Sequence, residues 1–337
     1  MQVFEVREPF GLDSLALTTR PDPVPGPNEV VIRMQALSLN FRDRLVIDGF
    51  DRWRPTAPRI PVSDGVGLVA AKGPGVTRVK EGDRVAPIFY PRWIEGKPAP
   101  TKMTGALGGA VADGLYAECA LAHESAVVTL PPHLSNEEAA TLPCAALTAW
   151  NGVVERARPG RHDVVVVLGT GGVALFALQF AKMCGARVIV TSSSDVKLAR
   201  ARELGADEGI NYRATPCWPS QVLELTDGEG ADLVVDTAGA LPEATDAVRV
   251  GGTIAFIGLL GHTRSDVDLI KLMGKSATIH AIDVGSRAMF VAMNAAIESA
   301  GLRPVVDRSF PFEAARDAIR YLASGAHVGK VCIRVSP

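Results

Sequence analysis

Asp163-Val-Val-Val-Val-Leu-Gly-Thr-Gly-Gly-Val-Ala-Leu-Phe-Ala-Leu-Gln-Phe-Ala-Lys182 decides the fold. Residues 164–168 form a β-branched run without polar alternation, the pattern of a parallel strand buried on both faces. Gly169-x-Gly171-x-x-Ala174 follows at once, and 175–183 reads as a helix. Strand, glycine turn and helix together make a dinucleotide-binding fingerprint in its required context. Gly169 serves the tight turn, Gly171 lets the backbone approach a pyrophosphate, and small Ala174 lets helix and strand pack closely. Amides at the helix start, including those of Thr170, Gly172 and Val173, are suited to holding phosphates. The uncharged run approaches the length of a membrane span, but its mid-segment glycines and the alternation that follows argue against one.

Outward from this stretch, strand and helix alternate. Strands are expected at 187–191, 232–236, 253–259 and 278–284, and helices at 195–204, 241–248 and 287–299. Such alternation implies a doubly wound parallel sheet. The first 125 residues instead read as β-rich, with strands at 29–37 and 65–71 and a Gly- and Pro-rich loop over 90–114. Ser135-Asn-Glu-Glu138 reads as a helix N-cap with acidic residues in the first turn. The last fifty residues are mixed and end in a strand at 330–335.

At 337 residues the chain has room for two domains. A net charge of −2 provides no global field for nucleic acid or an anionic membrane. The five cysteines (Cys119, Cys144, Cys184, Cys217 and Cys332) are dispersed, without C-x-x-C. That usage, with no basic-then-apolar N-terminal segment, leads us to expect a cytoplasmic protein without a disulfide framework.

Several further segments carry a resemblance. They are Leu39-Asn-Phe-Arg-Asp43, Pro61-Val-Ser-Asp-Gly-Val-Gly67, Gly73-Pro-Gly-Val76, Gly82-Asp-Arg-Val85, Thr141-Leu-Pro-Cys-Ala-Ala-Leu-Thr-Ala-Trp150, Glu203-Leu-Gly-Ala-Asp207, Ile210-Asn-Tyr-Arg213 and Gly329-Lys330. In this order and spacing the chain resembles the medium-chain dehydrogenase/reductase superfamily, in its zinc-independent, quinone oxidoreductase-like branch related to zeta-crystallin. The resemblance implies an α/β protein: a Rossmann doubly wound sheet over 127–284, inserted in a GroES-like β-rich catalytic domain of 1–126 plus 285–337. It also implies a homodimer joined at the sheet edge, which an apolar last strand at 278–284 favours.

The resemblance places the zinc ligands of alcohol dehydrogenases at Asn40, Ser63 and Cys144. Amide and hydroxyl are poor zinc ligands, so no metal is expected. It brings Asn40, Asp43, Ser63 and Thr148 to the reaction centre, with the Thr148 hydroxyl toward the nicotinamide. Thr237-Ala238-Gly239, Ile257-Gly258-Leu259, Asp283-Val284-Gly285 and Gly329-Lys330 would complete the cofactor site, with Asp64 and Lys330 as an ion pair or as separate structural charges.

NAD sites usually carry an acid at the end of the second strand, about twenty residues past the fingerprint. Ser192 stands there, beside Ser193, Lys197 and, from the next strand end, Tyr212. The expected cofactor is therefore NADPH, with Asp195 as a charge that would oppose a 2′-phosphate unless turned away. Trp53, Tyr90, Trp93 and Leu107 are either pocket walls or loop anchors. No histidine falls in these motifs, so Ser63 or water is left to deliver a proton. The reading is an NADPH-dependent reductase of quinones or α,β-unsaturated carbonyls. A zinc-free alcohol dehydrogenase-like reductase and a non-catalytic NADPH-binding redox sensor or structural protein remain open.

Overall fold

The structure, a computed structural model, describes residues 1–258 and 264–335. The chain divides into two compact units, Met1–Leu147 with Gly285–Pro337, and Thr148–Val284.

The first unit is built on a seven-stranded sheet in the order Val306–Pro311, Lys330–Arg334, Glu29–Leu39, Asp64–Lys72, Arg84–Pro87, Val127–Thr129, with Cys119–His123 paired to Glu29–Leu39. Its core includes Ile32, Met34, Leu37, Tyr116 and Phe312, and the Tyr116 hydroxyl donates to the Phe312 carbonyl at 2.9 Å. Two antiparallel pairings matter for the site: Val331 lies opposite Leu39, and Ser38 opposite Asp64. The register therefore lines up Lys330, Asn40 and Ser63 at the ends of three adjacent strands, although Lys330 is 290 residues from Asn40 in sequence.

The boundary between units falls after Leu147 rather than after residue 126. The cause is the helix Asn136–Ala140. Ser135 Oγ accepts from the Glu138 amide and the Glu138 carboxylate accepts from the Ser135 amide, a reciprocal cap. The helix packs on Glu29–Leu39 and Asp64–Lys72, and Arg334 Nε reaches Glu137 at 2.7 Å, so the segment shares the first unit's core.

The second unit is a six-stranded, wholly parallel sheet in the order Glu208–Asn211, Arg187–Ser192, Val164–Leu168, Ala231–Asp236, Val248–Phe256, Thr278–Ala281. Counted along the unit this is 3-2-1-4-5-6, with its switch point between Val164–Leu168 and Ala231–Asp236. Three elements differ from expectation. The fingerprint helix starts at Gly172, not 175. The last strand stops at Ala281, because residues 283 and 284 are taken by side chains of Thr148 and Asn151 instead of by the ladder. The strand expected over 253–259 runs Val248–Phe256, and Leu259 lies outside the described residues. Glu208–Asn211, Trp218–Leu225 and Leu269–Lys275 were not foreseen; each is short, and the first buries only Ile210. Among the described residues no helix is long and apolar enough to cross a membrane.

Candidate functional site

In the second unit the fingerprint sits at the switch point. Gly169 turns the chain with φ +96°, a conformation that favours glycine. A Cβ on Gly171 would meet nothing within 4 Å, so the backbone there borders open space. Helix Gly172–Met183 presents its first amides beside that space. Thr237 donates its hydroxyl to the Leu168 carbonyl and ties the two central strand ends together. Gly258 lies so close to Thr237 that a Cβ would be 2.2 Å from its carbonyl carbon. Asp236, absent from the sequence reading, fixes this edge: its Oδ1 accepts from the amides of Ala238, Gly239 and Ala240. Burial pushes the Asp236 carboxyl up from its ordinary value. An acid ending an apolar strand before Thr-Ala-Gly was the signal for it.

The second strand ends at Ser192 without a carboxylate. Ser192 is only 4% exposed, whereas Ser193 is partly exposed and Tyr212 is exposed. Ser194 Oγ accepts from the Lys197 amide and caps helix Asp195–Glu203, which fixes Lys197 in the first turn. Asp195 accepts from Asn211 Nδ2 at 2.9 Å, so its charge is held by a neighbour.

Thr148 departs from expectation. Its hydroxyl donates to the Asp283 carbonyl at 2.9 Å, and Asn151 Nδ2 donates to the Val284 carbonyl at 2.6 Å. Both side chains staple the segment after the last strand to the helix, so the Thr148 hydroxyl donates within the protein and keeps its acceptor lone pairs. Gly285 falls in the first unit, packed where a Cβ would touch Leu147.

The first unit holds the polar cluster. Gly329, at φ +84° and with no room for a Cβ against the Val305 carbonyl, launches the last strand and places Lys330. Lys330 Nζ donates to the Leu39 carbonyl and to Asn40 Oδ1, both at 2.5 Å. Asn40 Nδ2 faces Ser63 Oγ at 3.5 Å, and Ser63 Oγ donates to Asp64 Oδ1 at 2.8 Å. Asp64 Oδ2 accepts from the Cys144 amide, and Asp43 accepts from the Asn40 amide at 2.8 Å. Arg42 lies 3.9 Å from Asp43 and donates to the Leu107 carbonyl at 2.7 Å. Asp43, Ser63 and Asp64 have no exposed surface and Lys330 has 4%; Asn40 is partly exposed.

Asp64 and Lys330 do not meet as a direct ion pair; the Asn40 amide takes the ammonium instead. Ser63 is sealed in and its proton is committed to Asp64, so it does not stand ready to deliver one. Asp43 is buried as well, accepting from the Asn40 amide with Arg42 3.9 Å away. Burial raises the Asp64 carboxyl to about 6, an effect moderated by Lys330 and by hydrogen bonds from Asn40 and Ser63. Burial also raises Asp43, and it drives the Cys144 thiol well above its ordinary value, with Asp64 adding to the effect.

The three positions that would hold zinc do not fit it. The Asn40 oxygen already receives an ammonium and the Ser63 oxygen serves Asp64, which leaves Cys144 as the one soft ligand of the three. Among the described residues no group of three or more His, Cys, Asp or Glu could hold a metal. Of the other expected pocket residues, Trp93 is 2% exposed and donates to the Gly96 carbonyl, and Tyr90 is buried, so both anchor the loop. Trp53 stacks with Phe50 and carries Arg52 over its ring.

A glycine turn at the switch point of a parallel sheet, joined to a β-rich unit with a buried polar cluster, defines a two-domain dinucleotide-type dehydrogenase. Comparison with known proteins extends this. The family model "Alcohol dehydrogenase GroES-like domain" matches residues 26–132, and "Zinc-binding dehydrogenase" matches 172–299. The zinc-type alcohol dehydrogenase-like protein C1773.06c of Schizosaccharomyces pombe is 40% identical, over 92% of this chain and 91% of its own length. A solved NAD-dependent alcohol dehydrogenase is 34% identical with TM-score 0.90, covering 100% of both chains. Mycobacterial Rv1454c, solved with NADPH, is 27% identical with TM-score 0.81, over 99% of this chain and 100% of its own. The chain belongs to the medium-chain dehydrogenase/reductase superfamily and is an alcohol dehydrogenase-like oxidoreductase of that type.

Proposed function

We propose that the chain is an NADPH-dependent reductase that works without zinc and passes hydride to a conjugated acceptor, a quinone or an α,β-unsaturated carbonyl. The observation that carries this reading is the ammonium of Lys330 on Asn40 Oδ1, where a metal ligand would have to be. A carbonyl with neither a dication nor a strong acid to polarise it is a poor hydride acceptor unless its negative charge is delocalised. Conjugation provides that delocalisation, which disfavours simple aldehydes and the zinc-free alcohol dehydrogenase alternative.

The second unit fits the cofactor. The amides of Thr170, Gly171, Gly172 and Val173 suit its pyrophosphate, and Ser193, Lys197 and Tyr212 suit a 2′-phosphate at a strand end that lacks an acid. When bound, NADPH supplies the hydride. Asp236 and Thr237 hold the strand-end loops rigid, Thr148 and Asn151 fix residues 283 and 284, and Asn40 faces the acceptor. Thr278–Ala281 is an edge strand, and the helix just before it in sequence, packed on Val248–Phe256, has Leu269, Ile270 and Met273 over 70% exposed. This supports a homodimer through that edge, which light scattering would read as about twice the 35.5 kDa chain mass.

The test is NADPH oxidation over a panel of quinones, enones, saturated ketones and aldehydes. Turnover confined to conjugated acceptors is expected. Faster turnover of simple aldehydes would move the reading to an alcohol dehydrogenase. Tight NADPH binding without any turnover would move it to a binding protein.

A further inference from the structure

Within the polar cluster the neutral Asn40 is partly exposed, as are Arg42 and Cys144, whereas one ammonium and two carboxylates are buried. Lys330, Asp43 and Asp64 are all 4% exposed or less, and each touches or faces Asn40. The ammonium pins Asn40 Oδ1 at 2.5 Å and the Asp43 carboxylate pins its backbone amide at 2.8 Å. The side-chain amide is thereby held in one orientation, with its oxygen on the ammonium and Nδ2 facing the Ser63 hydroxyl at 3.5 Å. An amide whose oxygen accepts from a cation becomes a stronger donor at its nitrogen, and the effect is largest where water is excluded.

We propose that Asn40 is the electrophile of the reaction, donating from Nδ2 to the acceptor's carbonyl oxygen, and that Lys330 is the positioning residue that fixes and polarises it. The inference rests on the proposed reduction of a conjugated carbonyl. In that step the acceptor's β-carbon gains the hydride and its π pair shifts to leave an enolate oxygen. Asn40 Nδ2–H stabilises that oxygen, the dihydronicotinamide is the group oxidised, and water supplies the proton that completes the saturated ketone. One Nδ2 hydrogen faces the Ser63–Asp64 pair and the second serves the substrate. Ser63 and Asp64 hold the amide in plane; they do not transfer the proton. A neutral donor carrying the influence of a buried cation also sets the substrate class. It is strong enough for a delocalised enolate and too weak for a localised alkoxide.

The test uses the full chain with NADPH and a graded series of aryl enones. Asn40→Ala and Asn40→Asp should each lower kcat about 100-fold, the usual effect of losing one oxyanion donor. Their dependence of rate on substituent electron demand should steepen, since the substrate must then carry more of the charge itself. Asn40→Asp keeps a partner for Lys330, so its loss of rate cannot be ascribed to an unpaired ammonium. Lys330→Met leaves buried carboxylates without their cation and can unfold the domain. The double variant Lys330→Met/Asp64→Asn removes a charge of each sign, and should show the same steepening. Unchanged kcat in Asn40→Ala, or an effect confined to NADPH affinity, would overturn the inference and leave the proposed function standing. A wild-type chain inactive on every carbonyl acceptor would overturn both.

Discussion

The two units prepare for their ligands by opposite physical means. The second presents dipoles: helix-start amides beside open space, hydroxyls at a strand end, and an aspartate, Asp236, spent on three backbone amides. The first presents charge, with an ammonium and two carboxylates gathered behind one amide and almost wholly withdrawn from water. Dipoles fixed by backbone cost little to bury and barely respond to pH. Buried charges are expensive, compensate one another only while complete, and titrate far from their ordinary values. A unit that binds a constant ligand can be built the first way. One that must stabilise a charge appearing during a reaction needs the second.

The largest expected effect is on stability against pH. Asp64 holds its proton more tightly folded, at about 6, than unfolded, at about 3.8. The stability it contributes is therefore full below about pH 4 and is lost as pH rises through 6, amounting to about 3 kcal/mol. Urea unfolding of wild type and Asp64→Asn between about pH 4 and 7 reads this contribution together with its coupling to Asp43 and Lys330. The wild-type unfolding free energy should fall relative to the variant by about that amount. Parallel curves would show that Asp64 is not the charge we take it to be, and the contrast between the units would lose its electrostatic side.

A smaller effect sharpens the other half. With Asp195 tied to Asn211 and no acid at the strand end, NADPH should bind at least tenfold tighter than NADH, about 1.4 kcal/mol. Lys197→Ala and Ser193→Ala should each narrow that gap in fluorescence titrations. Equal affinities in wild type would remove the case for a 2′-phosphate pocket.

The same contrast explains what the sequence disclosed. The second unit's site is local: 164–174 is one uninterrupted pattern, and Ser192 lies a fixed distance beyond it, so strand, turn and helix were legible with errors only at their ends. The strand ending at Phe256 and the one stopping at Ala281 were misjudged because side chains from elsewhere, Thr148 and Asn151, decide where the second of them leaves the ladder. The first unit's site depends on register. Lys330, Asn40 and Ser63 meet only because two antiparallel pairings align, and no local pattern encodes that alignment. Resemblance named the residues but not the internal bonds of their hydroxyls, which go to Asp64 from Ser63 and to the Asp283 carbonyl from Thr148. It also left Lys330 between ion pair and structural charge, when its partner is the neutral amide of Asn40.

The account's central claim is that an ammonium-backed amide stands in for a metal. Its most direct measurement is NADPH-driven turnover of an enone by protein dialysed against a chelator, with zinc quantified in the same sample. The account predicts no stoichiometric zinc before dialysis and undiminished turnover after it. One zinc per chain, with activity lost to the chelator and restored by added zinc, would contradict it.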